Sequence, residues 1–213
     1  MTRLIVVRHG ESAANRGGIF AGQTDVELQD KGIEQAKKTA EYIAANYSID
    51  KVYASDLTRA RKTGEIIANL SGTSVILNKE LREINAGEWQ GKSFDFLIAN
   101  YADEYSRWLH DIGNCFCPGG ESVAQLCARV SHVMTEIAKA NPEKTVVVAT
   151  HGTFIRAMQC ILKGLPVSSM KDISWSSNAS FSEIIYENGS WTFIKESVDD
   201  HLSTLKTTFA ANV

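Results

Sequence analysis

Residues 4–12 read LIVVRHGES. The first four are apolar at consecutive positions and rich in β-branched side chains, a pattern typical of a parallel strand buried on both faces. Residues 145–149, which read TVVVA, show the same pattern near the other end of the chain. We therefore expect both segments to be central strands of one sheet.

Strands and helices alternate between these two segments. Short β-branched runs predict further strands at residues 51–54 and 74–77. Apolar residues at steps of three and four predict helices at residues 31–47, 57–70 and 121–140. This alternation predicts an α/β fold with a mainly parallel central sheet.

A predicted hairpin follows the parallel part of the sheet. Residues 180–186 and 191–195 are strand-like, and they flank ENGS at residues 187–190. The Asn-Gly pair favours a tight turn between two antiparallel strands. We therefore expect the mainly parallel sheet to carry an antiparallel edge.

The length and composition indicate a single domain covering residues 1–213. The chain is 44% hydrophobic and 22% charged, which is ordinary for a globular protein, and its length suits one substantial core. Residues 86–120 fit no simple period and contain several aromatic residues and glycines. We expect this segment to be a loop-rich insertion with a short helix that forms the lid or wall of a substrate site.

The charge balance argues against some classes of partner. The formal net charge of -3 provides no overall attraction to nucleic acid or to an anionic membrane. The apolar run at residues 4–7 is far shorter than a signal-peptide core or the roughly 20 residues needed to cross a bilayer. A cytoplasmic protein is the expectation, with its four cysteines reduced. The sequence carries no signal for oligomeric state.

One cluster offers a weak alternative in which the chain binds a metal. Cys115 and Cys117 are separated by one residue, and His110 lies just before them. This spacing, without a second cysteine pair or a His-x-x-x-His sequence, matches zinc sites poorly. We therefore predict no metal site.

Two His-Gly pairs suggest the position of a functional site. His9-Gly10 and His151-Gly152 each follow one of the predicted central strands. Ligands of open α/β sheets bind outside the carboxyl ends of the strands, so both imidazoles are expected at one pocket. A glycine lets the backbone approach a ligand, and a helix that starts just beyond it attracts an anion. Either histidine alone is better interpreted as an ordinary residue at a strand end, and their matched positions favour the site.

Two arginines point to the charge of the ligand. Arg8 adjoins His9, and Arg59 is expected in the first turn of a helix that Ser55 or Asp56 caps. One guanidinium group can bind two phosphate oxygens at once. Two arginines at this edge of the sheet therefore indicate a phosphorylated substrate. Taken alone, Arg59 would be assigned to a solvated helix face.

These motifs resemble those of the histidine phosphatase superfamily, which is also called phosphoglycerate mutase-like. The signature is RHGES at residues 8–12, with Asn15 beyond it. Supporting motifs extend over almost the whole chain: GxxDxxL at 22–28, SxLxRAxxT at 55–63, LRE at 81–83, GES at 120–122 and HG at 151–152. The resemblance implies a three-layer α/β/α fold.

The resemblance also implies a role for each site residue. His9 would be phosphorylated transiently, and Glu83 would donate the proton to the leaving group. The phosphoryl oxygens would be held by Arg8, Arg59 and His151. Covalent catalysis splits a difficult transfer into two easier steps, and fixed cations can meet the phosphoryl charge without a metal. Further substrate or phosphate contacts are implied at Asn15, Ala21, Gly22 and Gly152.

Three functions are compatible with these residues. LREIxxGxWxG at residues 81–91 resembles the phosphatase branch, which favours a metal-independent, cofactor-free phosphomonoesterase acting on a small phosphorylated metabolite. The alternatives are phosphoryl transfer of the phosphoglycerate mutase type and a non-catalytic protein that binds a phosphorylated ligand. The leaving group is not identified, because the pocket wall falls in residues 86–120.

Overall fold

A computed structural model describes residues 1–207 of the chain. Its strands are β1 (Thr2–Arg8), β2 (Ile19–Phe20), β3 (Lys51–Ala54), β4 (Val75–Leu77), β5 (Lys92–Ser93), β6 (Thr145–Thr150), β7 (Phe181–Glu187) and β8 (Ser190–Val198). Its α-helices are α1 (Ala13–Gly17), α2 (Asp30–Asn46), α3 (Thr58–Leu70), α4 (Phe94–Asn100), α5 (Ala102–His110), α6 (Val123–Lys139) and α7 (Gly152–Leu162).

The central sheet has six strands in the order β4-β3-β6-β1-β7-β8. Strands β4, β3, β6 and β1 are parallel, whereas β7 and β8 form an antiparallel hairpin at one edge. The predictions of two central strands and of an antiparallel edge are therefore confirmed. In the pairing of β1 with β6, Arg8 lies opposite Thr150, so the chain leaves both strands at the same level.

Helices cover both faces of the sheet, which confirms the three-layer arrangement. Successive side chains of a strand point to opposite faces. Accordingly, Ile5 packs in a core cluster with residues of α2 and α3, and Leu4 packs in a second cluster with residues of α6 and α7. Burial of each such aliphatic side chain contributes about 1.5 to 3 kcal/mol.

The start of helix α6 follows from its sequence. Ser122 accepts a hydrogen bond from the backbone N–H of Gln125, and the Gln125 side chain accepts one from the backbone N–H of Ser122. This capping box ends the preceding turn and starts the helix. The predicted apolar stripe is buried: Val123, Leu126, Cys127, Val130, Val133, Met134, Ile137 and Ala138.

Residues 86–120 are more ordered than the sequence predicted. They contain two α-helices, α4 and α5, and the strand β5, which pairs with β2. Trp89 is fully buried there and makes edge-to-face contacts with Tyr101, Tyr105 and Trp108. The helices span only seven and nine residues, too few for a helical period to be clear in the sequence. This segment is stabilised by contacts between aromatic rings, and the positions of these rings follow no helical period in the sequence.

The start of α2 packs directly against the loop after β1. A Cβ atom placed on Gly32 would lie 2.0 Å from the carbonyl oxygen of Glu11, and one placed on Gly10 would lie 2.1 Å from that of Gly32. Real atoms do not approach so closely, so both positions require glycine. The backbone that follows His9 is therefore held against a helix.

We predict that Gly32→Ala destabilises the protein. Alanine in place of a helical glycine normally stabilises by about 0.5 to 1 kcal/mol, but this clash should lower the free energy of unfolding by about 1 to 3 kcal/mol. Denaturant unfolding provides the measurement. Gly17→Ala is the matched control, because its Cβ would meet only the Ile19 side chain, at 3.4 Å. Equal stability of the two variants would contradict the close packing.

Candidate active site

The adjacent ends of β1 and β6 bring the two histidines together. The ring centroids of His9 and His151 are 5.2 Å apart, and the rings meet edge to face. Both side chains are buried. The two rings are therefore adjacent, as the two His-Gly pairs predicted, but only His9 lines the cleft described below.

His9 has a fixed ring orientation. Its Nδ1 lies 2.7 Å from the carbonyl oxygen of Gly10, and a carbonyl can only accept, so Nδ1 is assigned as the protonated nitrogen. In the neutral ring Nε2 then carries the free lone pair. Burial, reinforced by Arg59 and Arg8, holds the pKa of His9 well below 6.5. The ring is therefore neutral at neutral pH, with the lone pair on Nε2.

His151 is fully buried, and neither of its ring nitrogens has a hydrogen-bond partner among residues 1–207. Burial, together with the charge of Arg59, also holds the pKa of His151 well below 6.5. An unpartnered polar group in the interior costs about 1 to 3 kcal/mol, so a ligand that accepts or donates a hydrogen bond here would relieve that cost.

Arg8 and Arg59 place two buried positive charges beside His9. Burial lowers the pKa of each to about 10, and the carboxylate of Glu83 opposes that effect in both cases. Both guanidinium groups therefore remain charged at neutral pH. Arg8 donates to the carbonyl oxygen of Ser176. This excess of positive charge favours an anionic ligand.

Arg59 also shapes the loop that precedes α2. Its Nη2 donates to the carbonyl oxygen of Gly22 at 2.7 Å, and its Nη1 donates to that of Thr24 at 2.9 Å. Both Gly22 and its neighbour Ala21 line the cleft. The arginine thus holds one wall of the site in place.

The cap of helix α3 differs from the prediction. Neither Ser55 nor Asp56 caps the helix: Asp56 binds Arg82 instead. The carboxylate of Asp25 accepts from the backbone N–H of Thr58 at 2.7 Å and from its hydroxyl at 2.8 Å. A negative charge at a helix N-terminus is favourable, and Asp25 reaches it from a loop 33 residues earlier in the chain.

Glu83 lies at the N-terminus of α7. Its carboxylate accepts hydrogen bonds from the backbone N–H groups of Ile84, Thr153 and Phe154, at 2.9, 3.0 and 3.2 Å. These three donors fix the orientation of the carboxylate. Glu83 is thereby held in the cleft that also contains His9 and both arginines.

Two positioning residues had no predicted role. Asn178, which is fully buried, donates to the carbonyl oxygen of His9 and to Oδ1 of Asn15. Thr63 accepts from the backbone N–H of Gly10 and donates to the carbonyl oxygen of Arg59. Thr63 belongs to the SxLxRAxxT motif and lies one helical turn after Arg59, so its spacing was an available signal.

One cleft is lined by every predicted site residue except His151. Its polar part contains Arg8, His9, Asn15, Arg59, Glu83 and Gly152, and its other walls contain Ile19, Phe20, Phe94, Tyr105, Trp108 and Trp175. His151 does not line the cleft, and its ring contacts that of His9 edge to face. Three residues of the aromatic wall, Phe94, Tyr105 and Trp108, come from residues 86–120.

Cys115 and Cys117 are buried in the core as free thiols. Burial raises the pKa of Cys115 to about 11 and raises that of Cys117 further. Within residues 1–207, no three His, Cys, Asp or Glu side chains are grouped so as to hold a metal ion. None of the helices in the described residues has both the length and the apolar character needed to cross a bilayer.

These groups suit phosphoryl transfer. A neutral imidazole can accept a phosphoryl group, two buried arginines can bind its oxygens, and an oriented carboxylate can transfer a proton. The sequence profile of the histidine phosphatase superfamily (branch 1) matches residues 4–199, and the chain belongs to this superfamily.

Individual relatives agree with this assignment. The chain is 33% identical over 205 residues to phosphoserine phosphatase 1 of Hydrogenobacter thermophilus, with 95% of each protein covered. It is 31% identical to a probable phosphoglycerate mutase of an Enterobacter species, over 90% of this chain and 88% of the relative. A mutant phosphoserine phosphatase from Entamoeba histolytica, solved with phosphoserine, superimposes with a TM-score of 0.83 at 29% identity, over 95% of this chain and 100% of that one.

We predict that neither buried histidine gains a proton as the pH falls to 6.5 in the ligand-free protein. The ring-proton NMR signals of His9 and His151 should keep their neutral positions, because burial and the arginines oppose the charged form. Signals are assigned by their loss in His9→Gln and His151→Gln. The denatured protein is the control, and its histidines should titrate near about 6.5.

The lowered pKa values of His9 and His151 also predict how the free energy of unfolding changes with pH. As the pH falls below 6.5, the unfolded chain binds protons that the two buried imidazoles do not, so the free energy of unfolding should decrease. A folded-state midpoint at or above 6.5 for both rings would contradict their placement between buried arginines.

Proposed function

We propose that this protein is a phosphatase that hydrolyses a small phosphorylated metabolite through a phosphohistidine formed on His9. The observation that carries this proposal is the orientation of His9. Its Nδ1 is bound to the Gly10 carbonyl, so Nε2 is available to a phosphate held by Arg8 and Arg59 in the same cleft. The phosphatases among the relatives support the same activity.

In the first step, the Nε2 lone pair attacks phosphorus and the bond to the ester oxygen breaks. Glu83 acts as the general acid and gives a proton to the leaving oxygen, which departs as an alcohol. Arg8 and Arg59 stabilise the charge on the non-bridging oxygens. His151 is buried and does not line the cleft, so the hydrogen bond to the phosphoryl group that we propose for it requires its ring to move into the cleft.

In the second step, water attacks the phosphorus of the phosphohistidine. Glu83, now a carboxylate, takes the proton of this water while the bond from Nε2 to phosphorus breaks. The electron pair of the broken bond returns to Nε2 of His9, and inorganic phosphate leaves. The backbone N–H groups at the start of α7 keep Glu83 in one orientation through both steps.

No metal or cofactor enters these steps. The two guanidinium groups supply the positive charge for which many phosphatases use a divalent cation, and their burial strengthens it. The aromatic wall, which includes Phe94, Tyr105 and Trp108, excludes water from the leaving-group side. We propose that residues 86–120 act as a substrate lid within one domain.

A cytoplasmic location is part of this proposal. All four cysteines are free and buried, as expected in a reducing compartment. The substrate class, small phosphorylated metabolites, is also found there.

Wild-type protein should form a phosphohistidine on His9 and turn over an aryl phosphate in the presence of EDTA, because its cations are arginines. Rapid quenching at alkaline pH and mass spectrometry would locate the phosphoryl group. His9→Ala should bind phosphate but show neither phosphoenzyme nor turnover. Activity lost in EDTA and restored by a divalent cation would contradict metal independence.

Two further outcomes identify the alternatives. Phosphoenzyme that transfers its phosphoryl group to a phosphoglycerate faster than to water would indicate a mutase. Phosphate binding without any phosphoenzyme in wild type would indicate a non-catalytic ligand-binding protein.

The variant Glu83→Gln should slow alkyl phosphates about a hundred-fold to ten thousand-fold, because it cannot protonate an alkoxide leaving group. With nitrophenyl phosphate, whose leaving group needs little assistance, His9 should still be phosphorylated. Hydrolysis of the phosphohistidine then lacks its base. A burst of nitrophenolate followed by slow turnover is the expected result in stopped flow.

Glu88→Gln is the matched control, because Glu88 is exposed and contacts the hydroxyl of Tyr101 outside the cleft. It should behave as wild type. Equal slowing of alkyl and aryl substrates by Glu83→Gln, without trapped phosphohistidine, would remove Glu83 from proton transfer.

A further inference from the structure

A second cleft of about 570 Å³ adjoins the catalytic one. Trp108 and Trp175 line both. Arg156 and Lys171 supply positive charge to the second cleft, and Asp172 is the one acidic residue that lines it. None of the catalytic residues proposed above lies in its lining.

Arg156 is buried with much of its hydrogen-bonding capacity unused. Its side chain is only 6% exposed, and its Nη2 donates to the carbonyl oxygen of Met170 at 2.8 Å. Nε has no partner among residues 1–207. The guanidinium carbon lies 4.3 Å from the centre of the Trp175 ring, so the cation is stacked on one of the two shared side chains.

Asp172 lines the same cleft, but within residues 1–207 no carboxylate forms an ion pair with Arg156. Burial lowers the pKa of Arg156 to about 10, and no acidic residue opposes this effect, whereas Glu83 does so for Arg8 and Arg59. Lys171 is exposed and forms no ion pair within the described part of the chain. A buried cation without a counter-charge is costly, and a bound anion would offset that cost.

The position of Arg156 connects the second cleft to the catalytic one. Arg156 follows Gly152 by four residues on α7, which is about 6 Å along the helix axis. A Cβ placed on Gly152 would lie 3.3 Å from Nε of Arg8 and 3.3 Å from Cζ3 of Trp175. Trp175 therefore contacts the helix beside Arg8 and stacks on Arg156 one turn further along.

We propose that Arg156 and Lys171 form a second anion-binding subsite, which takes a carboxylate or phosphate group beside the catalytic cleft. The group has two possible sources. It belongs either to the leaving group of the substrate, in which case the inference rests on the proposed function, or to a free anion such as inorganic phosphate. The subsite then selects acidic substrates or senses the product.

Calorimetric titration of the whole protein tests the subsite. The probes are 3-phosphoglycerate, glycerol 3-phosphate, which has a hydroxymethyl group in place of the carboxylate, and inorganic phosphate. The variants are Arg156→Gln, which keeps a donor for the Met170 carbonyl, and Lys171→Gln, whose exposed position should preserve the fold. Lys163→Gln is the control, since this lysine pairs with Glu196 outside both clefts.

If the acidic group belongs to the substrate, wild type should bind 3-phosphoglycerate about ten-fold to a hundred-fold more tightly than glycerol 3-phosphate. Both subsite variants should reduce this ratio, and Lys163→Gln should not. If a free anion occupies the subsite, wild type should bind two phosphate ions per chain, and the variants should bind one.

Unchanged stoichiometry and an unchanged affinity ratio in Lys171→Gln and Arg156→Gln would overturn the proposal. Aryl phosphate turnover by wild type separates this failure from that of the proposed function. Absence of turnover would contradict the phosphatase activity, whereas the titrations report on the subsite whether or not the protein is catalytic.

Discussion

The parallel pairing of β1 with β6 is the constraint on which the rest of the site depends. Arg8 lies opposite Thr150, so the residues that follow, His9 and His151, leave the sheet side by side. A shift of either strand by one residue would turn its side chains to the opposite face of the sheet and separate the two histidines. The buried β-branched residues of the two strands prevent such a shift, because it would also move the core residues out of their clusters.

The same edge of the sheet carries an excess of positive charge. Arg8 and Arg59 are buried beside two imidazoles, and Glu83 is the carboxylate that opposes the loss of charge in both arginines. Burial, reinforced by the two arginines, keeps the imidazoles neutral, while Glu83 beside both arginines and Asp25 beside Arg59 offset the loss of positive charge. The site is therefore suited to an anion.

The sequence predicted those parts of the site that depend on local pattern. Apolar patterns predict where strands end and where helices begin. They therefore predicted His9 and His151 at strand ends and Arg59 in the first turn of a helix. The cap of α3 could not be predicted in this way, since Asp25 reaches Thr58 across 33 residues of sequence. Asn178, which bridges the His9 carbonyl and Asn15, carries no periodic signal either. Aromatic packing likewise organises residues 86–120 without a period.

In the proposed mechanism, the residues that select the substrate lie apart from those that perform the chemistry. The phosphoryl group would contact β1, α3 and the start of α7, whose positions are set by the sheet. The rest of a substrate would contact Phe94, Tyr105, Trp108 and Trp175, which belong to short helices and loops. Changes in these aromatic residues alter the wall without moving His9, because the ring of His9 is bound to its own backbone neighbour. Trp175 is the exception, since it contacts α7 beside Arg8 and also stacks on Arg156. The Trp175 ring therefore links the two clefts, and an anion bound by Arg156 could shift this ring beside Arg8.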